Sequence, residues 1–131
     1  MEFNAVVDLL RSRLPGLLAV YGFGSRIQGT AGPHSDLDVA ILASGYADPL
    51  LLWELSGALA DVAGCPVDLL DLRAASTVMQ YQVITTGERW WALDARAALF
   101  EVAVLSEKTD LDEARAGLLA DIEKRGSVYG R

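Results

Sequence analysis

The stretch GFGSRIQGTAGPHSDLDVAIL, residues 22–42, decides how this chain folds and what it can bind. Gly24 and Ser25 end an apolar strand and open a helix, so they would turn backbone N–H groups and a hydroxyl toward a phosphate. Ten residues later come Asp36 and Asp38, which on one strand point to the same face with Cβ atoms roughly 7 Å apart. Two carboxylates at this spacing can hold a divalent metal ion. The stretch therefore predicts a site for a metal-bound phosphate ligand.

Length and composition predict a single domain over residues 1–131. Of the 131 residues, 52% are hydrophobic, which is enough to bury one core. The only cysteine, Cys65, cannot form an internal disulfide, so we expect a reducing, cytoplasmic setting in which Cys65 is a small buried hydrophobic residue. No apolar run approaches the ~20 residues of a membrane helix, and the first residues do not resemble a secretory signal, so no membrane location is expected.

The charge balance indicates the kind of partner. Eighteen acidic and eleven basic residues give a net charge of −7, and neither Lys nor Arg forms a run. Because nucleic-acid binding needs clustered cations, a direct nucleic-acid substrate is not expected. A basic protein partner would suit this surface, although an acidic exterior can also serve solubility alone. The single histidine, His34, is expected to be an exposed loop residue rather than a metal ligand.

Hydrophobic periodicity predicts an α/β fold with a small mixed sheet of three to four strands flanked by helices. The unbroken apolar run at 17–23 is typical of a central strand that is covered on both faces. The C-terminal region is predicted to be helical with a break near Thr109, because Asp110 and Glu113 resemble a capping box for a last helix. The other predicted elements are helices over 3–14, 49–63 and 74–86, strands over 38–42 and 67–72, and a short edge strand over 90–92.

The chemistry of a metal-bound phosphate needs one more acidic group, and the strand VDLLDL, residues 67–72, offers two. Asp68 and Asp71 are three residues apart, so on a strand they face opposite ways and only one can point toward Asp36 and Asp38. We favour Asp68, because Asp71 lies near the strand end, where acidic residues often cap the next helix. Three carboxylates around two magnesium ions would suit phosphoryl-type transfer, in which one ion holds a triphosphate and the other activates an attacking hydroxyl.

The segment GSRIQGTAGPHSDLD, residues 24–38, resembles the signature of the polymerase-β-type nucleotidyltransferase superfamily. It is most similar to the minimal nucleotidyltransferase (MNT) antitoxins of prokaryotic HEPN/MNT toxin–antitoxin pairs. The resemblance rests on the Gly-Ser pair, the ten-residue spacer and the Asp-x-Asp motif, and it extends through VDLLDL, Gly87 and a helical C-terminal region to cover most of the chain. It implies a polymerase-β-like nucleotidyltransferase fold with C-terminal helices.

The resemblance also implies an activity. MNT antitoxins are understood to transfer AMP from ATP, with Mg²⁺, to a tyrosine of a cognate HEPN ribonuclease toxin that they bind in a hetero-oligomer. By this resemblance Gly24 and Ser25 hold the terminal phosphates, and Arg26 adds positive charge or is simply a solvated helix residue. Family members often carry a second basic residue two positions after this arginine, where this chain has Gln28. Metal ions and backbone N–H groups would then balance most of the phosphate charge.

For the acids, the resemblance implies that Asp36 and Asp38 bind magnesium and that Asp68 completes the metal site and acts as base. Two other functions stay open at this point. A nucleotidyltransferase for a small molecule such as an aminoglycoside would need an acceptor pocket, which such enzymes usually build with an additional helical domain. A non-catalytic antitoxin that acts by occlusion would have no use for clustered carboxylates, whose repulsion is costly without metal.

Overall fold

The computed structural model describes residues 3–32 and 35–125, and beyond Asp110 it describes side chains only at residues 112, 113 and 117. His34 lies outside the described residues. In chain order the elements are α1 (Asn4–Arg13), β1 (Leu17–Phe23), α2 (Ser25–Gln28), β2 (Leu37–Ala43), α3 (Pro49–Ala63), β3 (Val67–Asp71), a 3-10 turn (Leu72–Ala74), α4 (Thr77–Thr86), β4 (Glu88–Ala92) and α5 (Arg96–Arg125).

The four strands form one mixed sheet in the order β3-β2-β1-β4. β1 is antiparallel to both of its neighbours, β2 and β4, whereas β2 and β3 are parallel. A parallel pair needs a crossover, and α3 supplies it. This helix starts where the sequence directs, because the Asp48 side chain accepts the Leu50 N–H and Pro49 occupies the first turn. The predicted α/β fold with a small mixed sheet is confirmed, and β4 is the edge strand that the sequence indicates.

Helices cover both faces of the sheet. On one face α1 and α3 pack against alternate strand residues such as Val20, Val39 and Ile41. On the other face α4 and α5 contribute Val83 and Ala97 to a second cluster with the intervening strand residues. β1 is buried on both faces over six of its seven residues, as its unbroken apolar run predicts. None of the helices within the described ranges is long and apolar enough to span a bilayer.

A partly exposed polar network attaches α5 to the sheet. The Tyr21 hydroxyl on β1 donates a hydrogen bond to the Glu101 carboxylate on α5 at 2.7 Å, and Arg89 on β4 donates to the same oxygen at 2.8 Å. Burial and the neighbouring Glu101 charge both raise the pKa of Tyr21. Because the phenol stays protonated, it remains a permanent donor to Glu101, and the network fixes the start of α5 against the two strands.

The predicted break near Thr109 and Asp110 is wrong, because α5 continues from Arg96 to Arg125 without interruption. The Thr109 hydroxyl donates to the Leu105 carbonyl one turn earlier, so this residue is satisfied inside the helix and does not end it. Lys108 and Asp112 form an ion pair at 2.8 Å with the i,i+4 spacing that supports a continuous helix. The C-terminal region is therefore one long helix rather than two.

Candidate active site

The predicted site residues converge at one end of the three strands β1, β2 and β3. β1 ends at Phe23, which pairs with Asp38 near the start of the antiparallel strand β2. Asp38 in turn lies opposite Asp68 in the parallel β2–β3 ladder. Residues in register on adjacent strands project their side chains to the same face, so Asp38 and Asp68 share one face of the sheet. The turn at Gly24 follows directly after Phe23 and thus adjoins these two acids.

The three favoured acids form one electrostatic cluster. Burial raises the pKa of the half-buried Asp38 carboxyl, and the negative charges of Asp68 and Asp36 raise this pKa further. Asp38 is therefore close enough to both Asp68 and Asp36 for their negative charges to act on it. Asp36 is exposed and lies just before β2 rather than on it, because the strand begins at Leu37. The condition that both acids lie on one strand is thus met by Asp38 alone, although the charge of Asp36 still acts on Asp38.

Gly24 occupies a position that only glycine tolerates. Its backbone has φ 82° and ψ −164°, a region that side chains exclude. A Cβ atom at this position would also collide with the carboxylate of Asp38. The backbone of the turn therefore lies directly against one of the acids. A phosphate held by the turn and a cation held by Asp38 would be immediate neighbours.

The N–H groups of the turn are arranged to meet an anion. Ile27 and Gln28 donate their N–H groups to the Gly24 carbonyl at 3.1 and 3.0 Å. The N–H groups of Ser25 and Arg26 precede these bonds and so have no acceptor within the helix. α2 is only four residues long, which leaves little macrodipole. The local N–H groups, rather than the helix dipole that the sequence reasoning invoked, are what this turn offers to a phosphate.

Arg26 links the phosphate turn at Gly24 and Ser25 to the loop that precedes Asp36. Its Nε donates to the Ser35 carbonyl at 2.9 Å, and the Ser35 hydroxyl accepts the Gly32 N–H at the same distance. Ser35 immediately precedes Asp36, so Arg26 helps to position the acidic end of the ten-residue spacer. The sequence reasoning missed this role, because a bond to a backbone carbonyl has no signal in the residue pattern.

Asp71 is engaged elsewhere. One of its carboxylate oxygens accepts the Arg73 N–H at 3.1 Å, which caps the 3-10 turn, and the other accepts the Ala47 N–H at 2.9 Å. The expectation that Asp71 caps the structure after β3 is confirmed. Its carboxylate is satisfied by backbone donors that hold two loops in place.

The donor chemistry of the acid cluster fits magnesium, a hard cation that prefers carboxylate oxygens. Over the described ranges, no three acidic, histidine or cysteine side chains form a complete metal-binding group. Magnesium does not require one, because it usually keeps several waters and is held by one or two carboxylates together with substrate phosphates. Asp38, whose charge is unfavourably placed beside two other acids, would gain most from such a cation.

Comparison with known proteins establishes the class to which this fold and site belong. Residues 4–95 match the family described as polymerase beta, nucleotidyltransferase. The chain therefore belongs to the polymerase-β-type nucleotidyltransferase family, and the resemblance seen at residues 24–38 is confirmed.

Individual proteins and solved structures show which members of this family the chain is similar to. The chain is 40% identical over 119 residues to the protein adenylyltransferase MntA of Shewanella oneidensis, across 91% of this chain and 86% of the relative. A crystal structure of a toxin–antitoxin with AMP-PNP is similar, with a TM-score of 0.81, 38% identity and coverage of 94% of this chain and 99% of that one. A tri-AMPylated Shewanella oneidensis HEPN toxin in complex with its MNT antitoxin gives a TM-score of 0.73, with 36% identity and coverage of 92% and 94%.

Proposed function

We propose that this chain transfers AMP from ATP to a tyrosine of a cognate HEPN-type ribonuclease toxin and thereby neutralises it. The observation that carries the proposal is the position of Gly24, whose backbone lies against the Asp38 carboxylate. This contact would let a metal-bound triphosphate use the turn and the acid together. The relatives support the choice of acceptor, since one is a protein adenylyltransferase and another is an antitoxin seen with an AMPylated toxin.

The phosphate side of the site would consist of Gly24, Ser25 and Arg26. The N–H groups of Ser25 and Arg26 and the Ser25 hydroxyl would hold the terminal phosphates of ATP. The Arg26 guanidinium, with one of its donors on the Ser35 carbonyl, would add positive charge beside them while it holds the loop. These groups would orient the triphosphate without forming a covalent bond to it.

The acidic side would consist of Asp36, Asp38 and Asp68. Asp36 and Asp38 would hold magnesium, and Asp68 would complete the metal site and accept the proton of the attacking hydroxyl. Magnesium, when bound, neutralises phosphate charge and makes the attacking hydroxyl more acidic. The raised pKa of Asp38 supports a cation at this acid, because a positive charge there would offset the negative charges of Asp68 and Asp36 that act on it.

In the transfer step, the tyrosine oxygen attacks the α-phosphorus of ATP and forms a new P–O bond. The bond from this phosphorus to the oxygen that bridges it to the β-phosphate breaks, and pyrophosphate leaves with the electron pair. The phenolic proton passes to the Asp68 carboxylate. The acceptor hydroxyl must therefore come within hydrogen-bond reach of Asp68, which is exposed on β3.

The proposal includes a cytoplasmic setting and a stable complex with the toxin. Cys65 is a free thiol, half-buried against the cluster formed by α1 and α3, which is consistent with a reducing compartment. The net charge of −7 would favour a toxin whose contact surface is basic, as a surface that binds RNA would be.

Intact-mass spectrometry tests the proposal. The chain is incubated with the cognate toxin, ATP and magnesium, and the toxin is expected to gain the mass of one or more AMP units. Asp36→Asn, Asp38→Asn and Asp68→Asn should each lower the rate at which the toxin gains this mass by at least about a hundredfold, while the chain stays folded. Chelation of magnesium by EDTA should have the same effect.

Asp71→Asn is the matched control, because it removes the same charge from the same strand. Asp71 bonds to backbone N–H groups, so this variant should lose some stability but keep AMP transfer. An inactive Asp71→Asn beside an active Asp68→Asn would overturn the choice of third acid. A toxin that stays unmodified while Asp36→Asn still protects cells fully would overturn the enzymatic function and leave occlusion.

A further inference from the structure

A groove of about 280 Å³ lies between α3 and β3, beside the acid cluster. Its volume is at the lower end of the range of typical small-molecule sites, about 300–1,000 Å³, and is large enough to receive individual side chains of a protein segment. The groove includes Asp68, the proposed base, and thus connects open surface to the place where the acceptor hydroxyl must arrive. The residues that line it are Pro49, Leu52, Trp53, Ser56, Asp68 and Leu69.

β3 offers a free edge along this groove. Within the described ranges it pairs with β2 alone and forms one edge of the sheet. The outer side of an edge strand presents N–H and C=O groups to which an extended segment can bond at the usual strand spacing of about 4.8 Å. Side chains of such a segment would alternate between the two faces of the sheet. Half of them would lie on the same face as Asp68, and the other half would lie on the face where Leu69 packs toward α3.

α3 exposes a large apolar side chain to this groove. Trp53 lines it and is 74% exposed. The helix is held to the core by other residues, namely Leu52, Leu55 and Leu59. Tryptophan is among the residue types most enriched at the energetic centres of protein interfaces. Trp53 is therefore available to contact a partner without being needed for the fold.

The net charge of the chain lies in the segment that contains the two elements beside this groove, α3 and β3. Residues 27–72, which include β2, α3 and β3, contain seven acidic residues and neither Lys nor Arg. The rest of the chain contains eleven acidic and eleven basic residues, so the net charge of −7 belongs to this segment. A segment that docks beside β3 meets this field and is favoured if it is basic.

We propose that the acceptor segment of the target protein binds in extended conformation along the outer edge of β3. Its tyrosine points to the face of Asp68, its neighbouring apolar side chains enter the groove against Trp53, and its flanking residues are basic. The inference rests on the proposed function, since it names the surface by which that reaction selects its acceptor. Trp53 is a specificity-determining residue in this account, not a catalytic one.

Steady-state AMP transfer tests the groove. The concentration of the cognate toxin is varied at saturating ATP and magnesium for wild type, Trp53→Ala and Ser56→Phe. Trp53→Ala removes the apolar contact, and Ser56→Phe fills the groove from the half-buried position of Ser56 on α3. Both should raise the KM for the toxin about tenfold or more, whereas the kcat of Trp53→Ala and its KM for ATP should stay within about twofold.

Val78→Ala is the control, because Val78 is also a large exposed apolar residue, at 65%, but lies on α4 away from the groove. It should leave the KM for the toxin unchanged within about twofold. An unchanged KM in Trp53→Ala, or an equal rise in Val78→Ala, would overturn the groove proposal and leave the proposed function intact. A wild-type chain that transfers no AMP to the toxin would overturn the proposed function and the groove proposal with it.

Discussion

Gly24 satisfies two constraints at one position, an extended backbone with positive φ and close contact with the Asp38 carboxylate. A methyl group would strain the backbone and displace the carboxylate. We therefore expect Gly24→Ala to lose ATP-dependent stabilisation and AMP transfer, and to lower the free energy of unfolding by about 2–4 kcal/mol. Thermal melts of wild type and variant, with and without ATP and magnesium, measure the change.

Gly29 provides a matched control for this variant. Its φ of 81° is nearly that of Gly24, but its ψ of 14° lies in the left-handed helical region, where alanine is less strained than at Gly24, and a Cβ atom there would meet nothing within 4 Å. Gly29→Ala should therefore carry only the backbone cost, about 1 kcal/mol, and keep its response to ATP. If both variants lose that response equally, a methyl group anywhere in this loop explains the loss and the Gly24–Asp38 contact does not.

The Asp38 carboxylate is a destabilising charge at neutral pH when no nucleotide is bound. Burial and the charges of Asp68 and Asp36 make its pKa higher in the folded than in the unfolded chain, so the folded chain binds this proton more tightly. The resulting stabilisation is full below the ordinary carboxyl pKa and is lost as the pH rises through the folded value. Asp38→Asn carries no charge at this position, so it does not lose stability in this way as the pH rises. Its stability advantage over wild type in urea unfolding should grow from about pH 4 to about pH 7.

Asp61→Asn controls for the change in net charge, because Asp61 is exposed on α3 and is not among the groups that raise the Asp38 pKa. Its stability relative to wild type should vary little over the same pH range. A pH-independent advantage for Asp38→Asn, or the same trend in Asp61→Asn, would argue against repulsion within the acid cluster.

At the scale of elements, the sequence predicts best where burial forces one pattern. β1 was predicted residue for residue, because a central strand covered on both faces leaves an unbroken apolar run. α3 was predicted equally well, because Asp48, Pro49 and Gly64 mark its ends. The predicted helix at 74–86 is less accurate, since a 3-10 turn ends at Ala74 and α4 begins only after Ser76 caps it. Two short helical elements in succession give one continuous periodic signal.

The remaining errors concern relations between elements. Asp110 and Glu113 match a capping box, but Asp110 lies inside α5, and local spacing cannot show that a helix continues through such a motif. Gly22 is needed because the Trp90 ring occupies the space of its Cβ atom, a contact between β1 and β4 that no local pattern reveals. At the site, the spacing of residues in the sequence was enough to predict that the acids and the turn lie together. The contact between Gly24 and Asp38 could not be predicted in this way, because it depends on the register of β1 against β2.

For the whole molecule, the distribution of charge matters more than its sum. The acidic segment 27–72 contains β2, β3 and their crossover helix α3, which make up one side of the sheet, while the charges in the rest of the sequence cancel. Such an asymmetric field orients a basic partner as it approaches, which raises the association rate without adding contacts. The effect depends on ionic strength, because the Debye length falls from about 30 Å at 0.01 M salt to about 3 Å at 1 M.

We therefore expect the association rate with the proposed toxin to fall about tenfold or more over this range of salt, as measured by stopped-flow or surface binding. Glu54→Lys on α3 should weaken this salt dependence, because it places a positive charge within the acidic segment. Glu113→Lys on α5 changes the net charge equally but lies outside that segment, so it should leave the salt dependence nearly unchanged. Equal effects of the two variants would mean that net charge alone governs the encounter and that the acidic end does not orient the partner.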